Sequence, residues 1–461
     1  MAGIGFELKK IFRNQTVISR IQGYSYAAMV SAGPMLISIS MLITQRQLLR
    51  LADISIHDRE LISATIMYAF IFALILVSGP SIIATRFIAD KTYIGRKKGI
   101  LSSLLGMTAL TVIIGAVAGF LFLRGSPLPF SQKITAYLLF IELIILYLLM
   151  VYVTAVKNYK AVSLAFASGF GLSLLPVILL LFVKLPPVET TIAGINLGFM
   201  VSIALLLGVI KSHFHSLNEE VFAFGRYFYR LPRLFGANFF YNLALFAHNI
   251  IFWLFSSNPV RLENTYTFLQ PYDMASFFAV LTVLPAMVLF VIKIETAFYE
   301  KYIFYTKAIS EGSTFQRIRQ ARDEMLQVLN RDLTNIFEVQ FIVSVIIVAL
   351  GTKILLPLLG MDSQTIELFP ILCLGFYLSS MTFIIVTILL YFDAQTESFR
   401  IMGLLLTATS ALTILLLPFG ENFYGLGFAV GTFAAMLYAI RCLSVLMNQI
   451  DFHLFSRRED T

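Results

Sequence analysis

Residues 62–88 read ISATIMYAFIFALILVSGPSIIATRFI, with no charged side chain before Arg86. A helix rising 1.5 Å per residue needs roughly 20 apolar residues to cross about 30 Å of hydrocarbon, and in that solvent its backbone polar groups must be satisfied within the segment. The stretch therefore reads as a transmembrane helix. Outward from it, eleven further stretches of the same kind cover 23–45, 99–123, 134–156, 163–183, 191–210, 234–256, 267–292, 336–359, 366–391, 400–418 and 425–447. An apolar fraction of 58% with only 13% charged residues leaves too little polar surface to solvate a globular domain of 461 residues. The sequence predicts an all-α polytopic membrane protein of about 12 transmembrane helices.

Basic residues in the gaps set the expected orientation, because Lys and Arg resist translocation. With the N-terminus inside, 26 of the 34 fall on the cytoplasmic side, chiefly Lys9 to Arg20, Arg86 to Lys98 and Lys293 to Arg331. Both termini are thus expected in the cytoplasm. The net charge of +8 reads as topology and contact with anionic lipid, and nucleic acid is not an expected partner. The first 22 residues lack the pattern of a cleaved signal peptide. Ile4, Leu8, Ile11 and Phe12 recur at helical spacing opposite Glu7, Lys10 and Arg13, which predicts an interfacial amphipathic segment over 1–22.

Six spans precede the polar connector 211–233 and six follow it, which divides the chain into bundles at 23–210 and 234–447 with a cytoplasmic tail at 448–461. Internal echoes favour a duplicated unit. Gly79-Pro80 in the second span has a counterpart in Leu284-Pro285 of the eighth, and both spans exit through similar text, Thr85-Arg86-Phe87 and Thr296-Ala297-Phe298. A second pair, Ala193 to Phe199 and Gly425-Leu426-Gly427-Phe428, opens spans six and twelve. Two such bundles around a central cavity are a common transporter plan. The cytoplasmic loop 293–335 carries Phe315, Ile318, Met325, Leu326 and Leu329 every three or four positions, the pattern of a surface helix.

Polar stripes mark the helices that open the two halves. Tyr24, Ser31, Ser38 and Gln45 are spaced by sevens along the first span, and Asn238, Asn242 and Asn249, with Tyr241 beside them, share a side of the seventh. Polar side chains facing lipid are costly, so these eight residues face other helices or a substrate cavity. The intramembrane ionisable residues are Glu142, Asp273, His248 and Glu338, of which Glu142 is a candidate for a coupling cation or a cationic sugar, or is a structural carboxylic acid bonded to a neighbouring helix. Cys373 and Cys442 lie in separate spans, and the histidines have no ligand partners at metal spacing, so neither metal nor cofactor is expected. No nucleotide-binding loop, dinucleotide fingerprint or hydrolase elbow is present, which leaves an ion gradient, polymer synthesis or the substrate's own gradient as the driving force.

The opening MAGIGFELKK, followed by Tyr24, Tyr26 and Ser31-Ala32-Gly33-Pro34, resembles the PelG family, and Thr85-Arg86-Phe87 and Ile294-Glu295-Thr296 extend the resemblance across the chain. It implies two six-helix bundles of the multidrug, oligosaccharidyl-lipid and polysaccharide exporter superfamily. It also implies passage of Pel, a polymer rich in N-acetylgalactosamine and its deacetylated form, across the bacterial cytoplasmic membrane. Expected partners are the polysaccharide itself, a cytoplasmic glycosyltransferase and other Pel membrane components. The expected activity is transport without catalysis. Three other readings fit the residues: an ion-coupled exporter of small cations acting through Glu142 or Asp273, a membrane enzyme using His57, Asp58, Arg59 and Glu60, and a scaffold for a synthase.

Overall fold

The computed structural model describes residues 17–95, 99–156, 158–214 and 221–451. Eleven of the helices in those residues are long and apolar enough to cross a membrane. Ahead of them α1 (Val17–Leu51) occupies the place of the first expected span. The protein is thus all-α and polytopic, with one small exception noted below. The interfacial segment expected before residue 17 and the end of the tail beyond residue 451 lie outside the described residues.

The chain forms two compact units. Of the described residues, one unit, here the N-unit, comprises Gly33–Phe246 and Phe252–Leu269; the other, the C-unit, comprises 17–32, Ala247–Ile251 and 270–451. The units interleave in sequence, so a five-residue piece of the seventh span groups with the second half of the chain.

The N-unit contains α2 (Ile56–Tyr93), α3 (Ile100–Arg124), α4 (Phe130–Val156), α5 (Tyr159–Leu179), α6 (Pro187–His213), the short α7 (Gly225–Arg230) and most of α8 (Pro232–Phe255). Ser55 starts α2 by accepting from the Asp58 amide at 3.1 Å, and Asn158 starts α5 by accepting from the Ala161 amide at 3.2 Å, which satisfies donors that a helix start leaves open. On α3, Ile113, Ile114, Val117, Phe120 and Leu121 stay exposed, as lipid-facing side chains must. The α5 and α6 backbones meet through small residues: a Cβ on Gly198 would lie 2.5 Å from the Gly169 carbonyl oxygen, and one on Gly194 2.8 Å from that of Ser173. Gly194, Gly198 and Ser202 repeat every fourth residue, the small-residue seam that lets membrane helices approach closely.

After α8 the chain departs from the all-helical expectation. Val260–Leu262 (β1) pairs antiparallel with Tyr266–Phe268 (β2) through a tight turn in which Glu263 and Asn264 have φ of 48° and 44°. Two successive positive φ angles give the turn that matches strand twist, and asparagine tolerates that region. The Tyr68 hydroxyl serves the β2 edge in both directions, donating to the Thr267 carbonyl at 2.6 Å and accepting from its amide at 3.0 Å. The rings of Tyr68 and Trp253 stack beside it at 4.8 Å.

In the C-unit the eighth span is broken. Helices α9 (Gln270–Leu281) and α10 (Leu284–Ile292) are separated before Pro285, and a π turn at Lys293–Phe298 leads into α11 (Tyr299–Ser310). Helix α12 (Phe315–Leu350) follows through Gly312, whose φ of 68° makes the reversal, with Thr314 capping the Arg317 amide. The expected loop 293–335 is therefore a helical hairpin. Met325 and Leu329 are fully buried, whereas Phe315 stays exposed. Lys301 pairs with Glu324 across the hairpin at 2.7 Å. The remaining helices are α13 (Leu356–Leu358), α14 (Ser363–Tyr391), α15 (Gln395–Leu416) and α16 (Leu426–Asn448). Here too the last two helices touch backbone to backbone: a Cβ on Gly427 would lie 2.5 Å from the Thr413 nitrogen, and one on Gly431 2.6 Å from the Thr409 Cα. The echo between spans six and twelve is thus one packing device used in both units.

Candidate functional site

The residues of the seventh span divide between the units. In the N-unit, Asn238 donates from Nδ2 to the Ser78 carbonyl at 2.6 Å, two residues before Pro80, and Asn242 donates to the Asn238 carbonyl at 2.9 Å. Gly79 permits this approach, since a Cβ there would sit 2.3 Å from the Phe235 ring. Both asparagines are half-buried and Tyr241 is buried. The Asn238 amide thus serves a helix–helix contact beside Pro80, within the continuous α2, the structural alternative to a cavity lining.

A matching contact occurs in the C-unit. Gln340, fully buried on α12, donates from Nε2 to the Thr282 carbonyl at 2.7 Å and to Ser344 Oγ at 3.1 Å. The carbonyl lies at the gap in the eighth span that precedes Pro285. Here the helix itself is interrupted, so a carbonyl at the gap needs another donor, and the Gln340 amide supplies it. Near Gly79-Pro80 and Leu284-Pro285 alike, a side-chain amide from another helix bonds a backbone carbonyl two or three residues before the proline.

The C-unit also gathers three of the expected residues into one polar cluster. Asn249 donates to Asp273 Oδ1 at 2.7 Å and accepts from Ser276 Oγ at 3.4 Å. His248 Nδ1 lies 2.8 Å from the Tyr272 hydroxyl, and its ring packs on Phe428 at 4.0 Å and Phe376 at 6.0 Å. His248 and Tyr272 are fully buried, with Asn249 and Asp273 nearly so. The spacing of residues 248, 249, 272 and 273 explains the pairing: adjacent positions on α8 meet adjacent positions on α9. A buried carboxylate, imidazole and phenol in two hydrogen-bonded pairs can hold or pass a proton. Tyr272 and Gln340 were not singled out from sequence; the signal for each was a polar side chain inside an apolar run.

Among the other expected residues, Gln45 is buried in the N-unit and donates from Nε2 to Ser173 Oγ at 3.5 Å. Ser38 is half-buried on the same helix. Tyr24 and Ser31 lie in α1, but their side chains fall outside the described residues. Glu142 is 7% exposed on α4, away from these contacts, and its Oε2 has no hydrogen-bond partner. In the group from His57 to Glu60, Asp58 joins the Ser55 cap and His57 pairs with Glu263 of the β turn at 3.3 Å. Among the described residues no group of three or more His, Cys, Asp and Glu could hold a metal ion.

Residues 1–455 match the family described as "PelG: Putative exopolysaccharide Exporter (EPS-E)". Among solved structures, the chain is similar to a Vibrio cholerae MATE transporter, at 13% identity and a TM-score of 0.59, covering 96% of this chain and 98% of that one. A MOP superfamily transporter from Pyrococcus furiosus, whose binding pocket is described as having reverse polarity, shows 12% identity and a TM-score of 0.59 over 93% and 97% of the two chains. A MATE structure in complex with MaD5 gives 11% identity and a TM-score of 0.59 over 93% and 97%. At these identities the likeness establishes the fold. No curated protein matches the chain in sequence.

Proposed function

The chain belongs to the PelG family of exopolysaccharide exporters, and from that membership we propose that it carries a Pel-type exopolysaccharide, as nascent polymer or lipid-linked precursor, across the bacterial cytoplasmic membrane for a biofilm matrix. The observation that carries the reading is a family match running through both units of a multi-pass membrane protein with the MOP transporter fold. Transport needs no bond to be made or broken by this chain, and the reading is of a protein without catalysis. The excess of Lys and Arg in alternate loops supports a cytoplasmic location for both termini, with anionic lipid as a proposed contact of those loops. The helical hairpin of α11 and the first half of α12 then projects on the same side, where the polymer-forming glycosyltransferase and other Pel membrane components are the proposed partners.

Depletion of the protein under biofilm-forming conditions tests this, with hexosamine-rich polymer measured outside and inside the cells. Loss of extracellular polymer, restored by the wild-type chain, supports export; unchanged secretion refutes it. A second reading, ion-coupled export of small cations, is favoured by one observation, the buried Asp273 cluster in a chain that shares the fold of a multidrug resistance MATE transporter. That reading expects drug resistance to fall on Asp273→Asn substitution with polymer secretion untouched.

A further inference from the structure

The short helix between spans six and seven takes part in none of the contacts described so far. Residues 221–233, VFAFGRYFYRLPR, hold three arginines and no acidic residue. Within them α7 (Gly225–Arg230) follows the end of α6 at His213 and precedes the start of α8 at Pro232, where the chain leaves one membrane span for the next. It packs on α2 where the apolar run 62–88 ends: the Tyr227 hydroxyl donates to Asp90 Oδ2 at 3.0 Å, and its ring meets Phe87 edge-on at 5.5 Å. Phe224 is 1% exposed, and Phe228 links it to Phe235 of α8 through ring contacts of 6.1 and 5.8 Å. Gly106 of α3 leaves room for the segment, since a Cβ there would lie 2.5 Å from the Val221 carbonyl oxygen.

Phe224, Tyr227 and Phe228 thus fix one side of α7 to the N-unit. At about 100° per residue the opposite side carries Arg226, Tyr229 and Arg230, and all three are exposed. Tyr229 is 89% exposed and the neighbouring Phe222 64%. Arg226 and Arg230 have no hydrogen bond or ion pair among the described residues, and Asp90 is already engaged by Arg86 at 3.3 Å and by Tyr227.

Two unpaired guanidinium groups one turn apart, flanked by exposed rings at the edge of a membrane span, have a specific complement. Aromatic rings settle at headgroup level, where their apolar bodies and polar edges are both served. A phosphate at that level matches the planar fork of an arginine through paired hydrogen bonds. The ammonium of a zwitterionic headgroup is repelled by the same two side chains. A free inorganic anion would satisfy the arginines and leave both rings in water.

We propose that Arg226, Arg230, Tyr229 and Phe222 form a binding site for the phosphate headgroup of an anionic phospholipid. The site lies outside the three basic groups that the sequence singles out, Lys9 to Arg20, Arg86 to Lys98 and Lys293 to Arg331, and gives named residues to the lipid contact. It stands whatever cargo the protein carries; the charge of the loops supplies only the leaflet, the cytoplasmic one. Through Tyr227 and Asp90 a headgroup held here ties the end of α2 to the membrane surface.

The test is native mass spectrometry of the full-length protein in detergent, titrated with dioleoyl phosphatidylglycerol and, separately, with dioleoyl phosphatidylcholine. The anionic lipid is expected to bind about tenfold more tightly. The double variant Arg226→Gln and Arg230→Gln should weaken its binding by about tenfold, with phosphatidylcholine binding unchanged, and each single substitution by about threefold. The matched control, Lys307→Gln with Arg319→Gln, removes two exposed charges from the α11 and α12 hairpin and should weaken binding less than about twofold. Equal affinity of the wild type for the two lipids overturns the proposal without recourse to any variant. So does an unchanged affinity in the double variant, or an equal loss in the control, which would report net charge alone. Displacement of the lipid by inorganic phosphate, but not by chloride at equal ionic strength, assigns the arginines to a free anion and overturns the lipid site. Both arginines are exposed and unbonded, so the melting midpoint of the double variant in phosphatidylcholine should match the wild type. Secretion independent of the protein in the depletion assay removes the export reading and leaves this site standing.

Discussion

Replacing Gly198 by alanine places one methyl group in the tightest part of the N-unit. The new Cβ would lie 2.5 Å from the Gly169 carbonyl oxygen and 2.8 Å from the Ser173 Cβ. Ordinary contact begins at 3.4 Å, so the α5 and α6 backbones must part by about 0.9 Å at this point. Backbone cannot rotate away as a flexible side chain does, and overpacking of this kind costs ~1–3 kcal/mol. Gly171→Ala is the matched control. It lies on the same α5 helix with nothing within 4 Å of its added Cβ, and alanine favours a helix by ~1 kcal/mol over glycine. Fluorescence-detected gel filtration after heating reads the midpoint for loss of monodisperse protein. Domains of 150–250 residues shift by about 2–4 °C for each kcal/mol, so Gly198→Ala should lower the midpoint by several degrees and Gly171→Ala should hold or raise it. An unchanged midpoint for Gly198→Ala, or an equal fall for the two variants, would refute the seam.

Four further outcomes follow from contacts described above. Asp273→Ala leaves the Asn249 amide without its acceptor and should destabilise the protein by ~1–3 kcal/mol, measured by the same heating assay, with Asp273→Asn recovering part of the loss. Gln340→Leu removes the donor to the Thr282 carbonyl at the proline gap and should cost a similar ~1–3 kcal/mol; no loss would show that another group satisfies that carbonyl. Tyr68→Phe removes the hydroxyl that closes the β2 edge, and tryptic cleavage at Arg261 should accelerate at constant global stability. For topology, a cysteine at Asn264 should react with an impermeant maleimide added to intact cells, and one at Glu311 only after lysis; the reverse pattern would invert the orientation.

The helical spans were legible in the sequence because lipid leaves a helix little alternative to a long apolar run. Their internal breaks were half legible. Pro285 signals one, but only the structure identifies Gln340 as the side chain that makes the break tolerable, since the two residues lie 55 positions apart in sequence. The β hairpin was missed because Val260–Leu262 and Tyr266–Phe268 are three-residue strands, too short for alternation to register. The surface helix expected in 293–335 is one arm of a hairpin, in which Met325 and Leu329 are buried and Lys301 pairs with Glu324. Polarity alone singled out His248, Asn249 and Asp273, while the partner of each came from the adjacent helix. Asn238 had the same polar signature, yet its amide is engaged by the Ser78 carbonyl. Periodicity places a side chain on a face and does not say whether a neighbouring backbone or a cavity lies opposite.

The paired glycine seams also bear on how the chain is made. In each half the last two helices are joined by a short connection and meet along their backbones, at Gly169 with Gly198 and at Thr413 with Gly427. Such a pair can zip together as soon as its second helix leaves the ribosome, before the rest of its unit has assembled. Each half of the protein would then finish synthesis by delivering a preassembled helical hairpin to the bilayer. A methyl group at either seam would thereby be felt during insertion, as a fall in yield, before it is felt as a loss of transport.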